Sequence, residues 1–150
     1  MILREEMESV FEKIDYHPKS VSGNLAHEFR QKFLAKFAPR LPRLQNRLYW
    51  GYFDGIPSVQ CENIEQSVVE ILKNKKEIFL LIEIYEKEIF IFENSEKLYK
   101  YLDALLRIDN TYLTNENLDY LVAFSDEDYL FSSLNTNKEL DLLCEEISLN

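Results

Sequence analysis

Glycine is scarce in this chain, with three in 150 residues at Gly23, Gly51 and Gly55. None falls in a GxGxxG or GxxxxGK(S/T) frame, so the glycine-lined phosphate cradles of nucleotide-binding folds are set aside. Histidine is nearly as scarce. His17 stands beside Pro18 in a turn and His27 falls in the second helix. Cys61 with His27 is the one conceivable nucleophile–base pair, and no GxSxG-type elbow surrounds either residue, so structural roles are the better reading. The two cysteines, Cys61 and Cys144, have neither CxxC nor zinc spacing. In a reducing cytosol each reads as a small core residue rather than half of a disulfide. No apolar run approaches the about 20 residues of a membrane span, and the longest, Ile78 to Ile82, is stopped by Glu83. Met1 to Glu6 has no basic region leading into an apolar one, so it does not read as a signal peptide. The expectation is a cytoplasmic, non-enzymatic protein with no cofactor and no metal.

What the chain does have is acid. It carries 27 Asp and Glu against 17 Lys and Arg, a net charge of −10. Basic against acidic residues number nine to six over 1–50, seven to twelve over 51–110, and one to nine over 111–150. The C-terminal third is therefore the acidic pole. With so many acids, carboxylate pairs are inevitable and no single pair is informative. Asp126, Glu127 and Asp128 form the tightest acidic cluster, but it lacks the glycine and spaced ligands of a calcium loop and reads as a solvated turn.

The basic pole is Arg30, Lys32, Lys36, Arg40, Arg43 and Arg47, uninterrupted by acid between Glu28 and Asp54. Tyr49, Trp50, Tyr52 and Phe53 follow it, a combination loosely similar to nucleic-acid surfaces. The charges are split between a helix face and a proline-broken loop, and the acidic whole repels phosphate. The better reading is a solvated helix face followed by a core aromatic strand.

Apolar spacing of three and four predicts a helix from Ile2 to Ile14 with Leu3, Met7, Val10, Phe11 and Ile14 on one face, ended by His17-Pro18. Ser22-Gly23-Asn24 reads as a turn, with Asn24 capping a second helix that buries Leu25, Phe29, Phe33 and Phe37. Leu48 to Phe53 reads as an aromatic strand closed by Asp54-Gly55, and Asn63 as the cap of a third helix carrying Ile64, Val68, Ile71 and Leu72. Glu77–Tyr85 and Glu88–Phe92 are β-rich runs that predict a hairpin turning at Glu86-Lys87; the first is apolar on both faces, as a central strand is. Asn94 caps a predicted helix over Ser95 to Arg107, with Leu98, Tyr101, Leu102, Leu105 and Leu106 inward. Thr111–Thr114, Tyr120–Phe124 and Tyr129–Phe131 are short strands, and Asn137 to Ile147 a last helix with Leu140, Leu143, Cys144 and Ile147 inward. The order predicts one α+β domain over 1–150, with an antiparallel-rich mixed sheet of five to six strands covered by about five helices.

From Glu77 to Leu134, the run EIFLLIEIY, EIFIFE, NSEKLYKYLDALL and TYLTNENLDYLVAFSDEDYLF resembles the SMI1/KNR4-like bacterial immunity-type proteins in element order and composition. The resemblance implies a protein that binds and neutralises a cognate toxin by covering its active site. An acidic protein is steered quickly to a basic cleft of that kind. The candidate partner-binding residues are Glu116, Asp119, Asp126, Glu127, Asp128 and Tyr129. The alternative is a small-molecule or peptide binding module with an aromatic pocket of Tyr49, Trp50, Tyr52 and Phe53.

Overall fold

The computed structural model describes residues 2–42, 49–107, 109–125 and 127–149. In chain order these form α1 (Ile2–Ile14), β1 (Lys19–Ser22), α2 (Gly23–Phe37), a 3-10 turn (Tyr49–Tyr52), β2 (Ser58–Gln60), α3 (Ile64–Ile71), β3 (Lys76–Ile82), β4 (Tyr85–Asn94), α4 (Ser95–Tyr99), α5 (Leu102–Leu106), β5 (Thr111–Thr114), β6 (Val122–Phe124), β7 (Tyr129–Ser132) and α6 (Asn137–Leu149). The α+β expectation holds. The sheet has seven strands in the order β1-β4-β3-β5-β6-β7-β2, and every pairing is antiparallel rather than mixed.

Strand side chains alternate between two apolar layers, as the pleat requires. Ile78, Leu80 and Ile82 of β3 face a layer built by Met7 and Phe11 of α1, Val68 of α3, Leu98, Leu102 and Leu105 of α4 and α5, and Leu140 of α6. Phe79 and Leu81 face the other layer, with Ala26, Phe33 and Phe37 of α2 and Tyr49. β3 lies between β4 and β5, the central place its two-sided hydrophobicity predicts. The Leu3 and Ile147 side chains, and Arg43, Arg47, Leu48 and Asp126, lie outside the described residues.

Several local expectations are corrected. The second helix starts at Gly23, whose φ of +61° suits glycine, with Ser22 rather than Asn24 at the cap position. Its buried stripe is Ala26, Arg30, Phe33 and Phe37; Leu25 is 66% exposed and Arg30 only 2%, so the basic face is not wholly solvated. Tyr49 to Tyr52 coil into a 3-10 turn instead of a strand, because the Tyr49 N–H donates to the Glu83 carboxylate (2.9 Å) rather than to a neighbouring strand. The hairpin turns at Glu83-Ile84, not Glu86-Lys87, with Ile82 paired to Tyr85.

The predicted helix from Ser95 to Arg107 is two short helices. Asn94 Oδ1 caps the first by accepting the Lys97 N–H (2.9 Å). The ladder then tightens at Tyr101, whose N–H reaches the Leu98 carbonyl (2.9 Å) while its buried hydroxyl donates to the Tyr16 carbonyl. Cys61 and Cys144 are both buried, as expected of core residues, but they are joined as a disulfide. The bond ties the β2–α3 connection to α6, and the Ser67 hydroxyl lies 3.5 Å from the Cys61 sulfur. No helix among the described residues is long and apolar enough to cross a membrane.

Candidate functional site

The candidate acids of the C-terminal third fall at opposite ends of their strands. Glu116 and Asp119 are exposed in the β5–β6 connection, where Asp119 Oδ2 accepts from Asn115 Nδ2 (2.8 Å) and its N–H donates to Asn115 Oδ1 (2.9 Å). Glu127 and Asp128 fall in the β6–β7 turn at the other end, and Tyr129 opens β7 directly after it. Ser125 Oγ holds that turn by accepting the N–H groups of Glu127 and Tyr129, each at 3.2 Å. The Asp128 carbonyl accepts the Cys61 N–H (2.9 Å), which seats the turn against the approach to α3.

At this seat an acidic cleft of about 220 Å³ opens, lined by Glu62, Glu65, Asp128, Ser125, Ile64 and Leu106 among others. Its acids come from the β2–α3 connection, the first turn of α3 and the β6–β7 turn. Asp103 of α5 joins them beside Glu65. Burial first, then the charge and hydrogen bond of Asp103, raise the Glu65 carboxyl above its ordinary proton affinity, and Arg107 offsets only part of this. Arg107 is already bonded to both Asp103 oxygens (3.1 and 2.9 Å) in an exposed pair, a kind of contact that contributes little. Carboxylates crowded so that one binds its proton more tightly than usual favour the approach of a cation. Among the described residues no three His, Cys, Asp or Glu side chains converge tightly enough for a metal ion. The ammonium or guanidinium of a guest is a cation that spread acids of this kind accommodate.

The aromatic residues of the alternative pocket are mostly packed on one another. Tyr49 is buried against Tyr112. Trp50 stacks on Tyr129 (5.7 Å between centroids) and leans on Phe131, and Phe53 meets Tyr112 and Phe131 edge-on. Tyr52 is half-buried. Trp50 and Tyr129, from two different predicted sites, are thus brought together. The Trp50 indole N–H is buried without a hydrogen-bond partner.

A second charged constellation, missed in the sequence, lies in the core. The Glu83 carboxylate accepts from the Tyr112 hydroxyl (2.7 Å), the Tyr49 N–H (2.9 Å) and Asn110 Nδ2 (3.3 Å). Burial, then the nearby Glu83 charge, drive the Tyr112 phenol far above its ordinary range, so it stays a donor. Arg30 Nη2 donates to the carbonyls of Ile82 (3.0 Å) and Tyr85 (2.9 Å), which closes the β3–β4 turn. A charged residue directly after five apolar ones was the available signal for Glu83. For Glu62, Glu65 and Asp103 there was none, since each is an ordinary acid of a helix or its approach. Comparison with known protein families, with curated proteins and with solved structures finds no match.

Proposed function

We propose that this chain is a non-catalytic interaction protein of the immunity type, which binds a basic partner protein through its acidic face and blocks it. The observation that carries the reading is the cleft where Glu62, Glu65 and Asp128 meet beside Asp103, with the Glu65 proton affinity raised by burial and then by Asp103. Such a site gains when a partner's lysine or arginine enters, because the guest relieves the repulsion among the acids. The one-to-nine balance of bases to acids over residues 111–150 adds a field that speeds encounter with a basic surface. Neutralisation of a bacterial toxin is the cellular role that the family resemblance suggests for such binding. The composition favours the cytoplasm, whereas the Cys61–Cys144 disulfide is the kind of bond that persists in an oxidising compartment. Nucleic acid is a poor partner for this charge.

Co-expression with the proteins encoded beside it in its source genome, scored by growth, tests the role. A toxic neighbour rescued by this chain, and not by an unrelated acidic protein, supports it; no toxic neighbour removes the immunity reading. With that partner in hand, the combined Glu62→Lys, Glu65→Lys and Asp128→Lys variant is expected to slow association about tenfold or more and to flatten its salt dependence. Unchanged kinetics would mean that the partner docks elsewhere.

A second reading keeps one supporting observation, the unpartnered Trp50 indole N–H. A small ligand that accepts from it would shift the fluorescence of the chain's single tryptophan. A flat response across a metabolite panel removes that reading.

A further inference from the structure

The helices α3 and α6 leave a groove of about 430 Å³ between them, next to the β7–α6 connection. Its lining includes Ile71, Leu134, Leu142 and Leu143, with Glu70 and Glu139 as the charged members. Leu134 and Leu142 are 40% and 48% exposed, two of the few large apolar side chains that the described surface shows to water. Scattered single leucines on a surface are ordinary, but a grouped apolar patch with a charged rim marks an interaction site. Both charged lining residues are glutamates, and among the described residues no lysine or arginine lines the groove. One of these acids is fixed in place, since Glu139 closes a capping box with Thr136: its Oε1 accepts the Thr136 N–H (3.0 Å), and its own N–H donates to Thr136 Oγ1 (3.1 Å).

The walls also constrain the guest's backbone. An extended segment laid in the groove would find its polar groups facing two helices whose own backbone groups are already used internally. A helix brings its hydrogen bonds with it, and an apolar stripe spaced three and four apart matches a groove between helices. The acidic rim selects lysine and arginine on either side of that stripe. The groove also continues the acidic cleft, because Glu62, Gln66 and Glu70 follow one another at intervals of four along the exposed side of α3 and its approach.

We propose that the α3–α6 groove docks an amphipathic helix of the partner protein, with leucine-class side chains over Leu134 and Leu142 and flanking lysines or arginines over Glu70 and Glu139. This rests on the interaction reading above and names the part of the partner that would be recognised.

The test uses the full chain and a fluorescent 18-residue peptide of leucine and lysine with its leucines at helical spacing, beside a scrambled peptide of the same composition, read by anisotropy at physiological salt. The helical peptide is expected to bind about tenfold or more tighter than the scramble. Leu142→Ser, at a half-exposed position that need not disturb folding, is expected to weaken it about tenfold, as loss of a central apolar anchor does. Glu70→Lys is expected to weaken it severalfold and to reduce its salt dependence, and it leaves the Thr136–Glu139 cap intact. Equal binding of the scramble, or no change with Leu142→Ser, overturns the proposal. A self-association that Leu142→Ser abolishes would also overturn it, by assigning the groove to a second copy of the chain. The Glu62, Glu65 and Asp128 reversals separate this from the function reading. If they leave the native partner's kinetics unchanged while Leu142→Ser still releases the peptide, the cleft reading fails and the groove stands. If the reversals slow the native partner while Leu142→Ser changes neither partner nor peptide, the groove fails and the cleft stands.

Discussion

Two groups of charged side chains in this molecule have opposite arrangements. Around the β3–β4 turn, Glu83 and Arg30 are fully enclosed, and their partners are fixed: phenol, amide and backbone N–H for the carboxylate, turn carbonyls for the guanidinium. At the start of α3, Glu62, Glu65 and Asp128 open to water, with partial burial and then the nearby Asp103 raising the Glu65 carboxyl. The first group spends nearly all its charge inside the fold; of its polar atoms only the buried Arg30 Nε lacks a hydrogen-bond partner, and it is closed off from any guest. The second is left crowded, an arrangement that lowers stability a little in the free protein and favours a cationic visitor. Charge that is satisfied internally reads as architecture; charge left unsatisfied at the rim reads as recognition.

The contrast is broken most directly at Arg30. Arg30→Met keeps much of the side-chain volume yet strips the Ile82 and Tyr85 carbonyls of their buried donor. A loss of about 3 kcal/mol or more is expected in urea unfolding, on the scale of removing one member of a buried polar network. That is a large part of a typical domain's 5–15 kcal/mol (about) of stability. Arg40→Met, at an exposed position of the same basic stretch, is expected to change stability by about 0.5 kcal/mol or less. Similar costs for the two would put Arg30 in the same class as the surface charges and erase the distinction.

The next effect in size comes from the disulfide beneath the recognition side. Cys61 and Cys144 are 83 residues apart in sequence, and joining them constrains the unfolded chain while holding α6 against the β2–α3 connection. Cys144→Ser, or a reductant, is expected to cost about 2–4 kcal/mol. The reductant should change nothing further in the Cys144→Ser variant. The same treatment sharpens the comparison, because it should weaken binding in the α3–α6 groove while leaving the Glu83 and Arg30 bonds unaffected. Two free thiols by alkylation under non-reducing conditions would remove this prediction.

The two groups also differ in how far they could be read in advance. Long periodic segments were legible: α1 runs from Ile2 to Ile14 as its apolar spacing indicates, Asn94 is a cap, and β3 is central. The edge strands Lys19–Ser22 and Ser58–Gln60 were not, because short polar strands next to a proline carry almost no pattern, which is also what protects a sheet edge. Glu86-Lys87 looked like the hairpin turn because a glutamate is expected in water, whereas the glutamate at the real turn is buried under α2 and the 3-10 turn. Asp128 was singled out by its acidic neighbours. Glu62, Glu65 and Asp103 could not be joined to it without the topology that brings three separate segments together. Leu142 carried a faint signal as an apolar residue off the buried side of α6, and Thr136 with Glu139 had the spacing of a capping box.

The smallest expected effect on stability is at Glu65, and its sign is what matters. Its carboxyl is raised in the fold by burial and by Asp103, so the unfolded chain gives up that proton more readily than the native one. Stability from this group is therefore present at pH below the ordinary carboxylate range and is lost as pH rises from that range through the raised native value. Glu65→Gln removes the group, so at neutral pH the variant is expected to equal or slightly exceed the parent, by no more than about 0.5 kcal/mol for a side chain this exposed. In acid the order should narrow or reverse, because the parent then carries the proton too. Association with a basic partner should move the other way, slowing when the carboxylate is lost even though the fold is no weaker. A variant that is steadier alone and poorer with its partner is the mark of a residue kept for recognition. If Glu65→Gln lost stability at neutral pH instead, the carboxylate would have a stabilising role in the fold, and the cleft would belong with Glu83 and Arg30 as architecture.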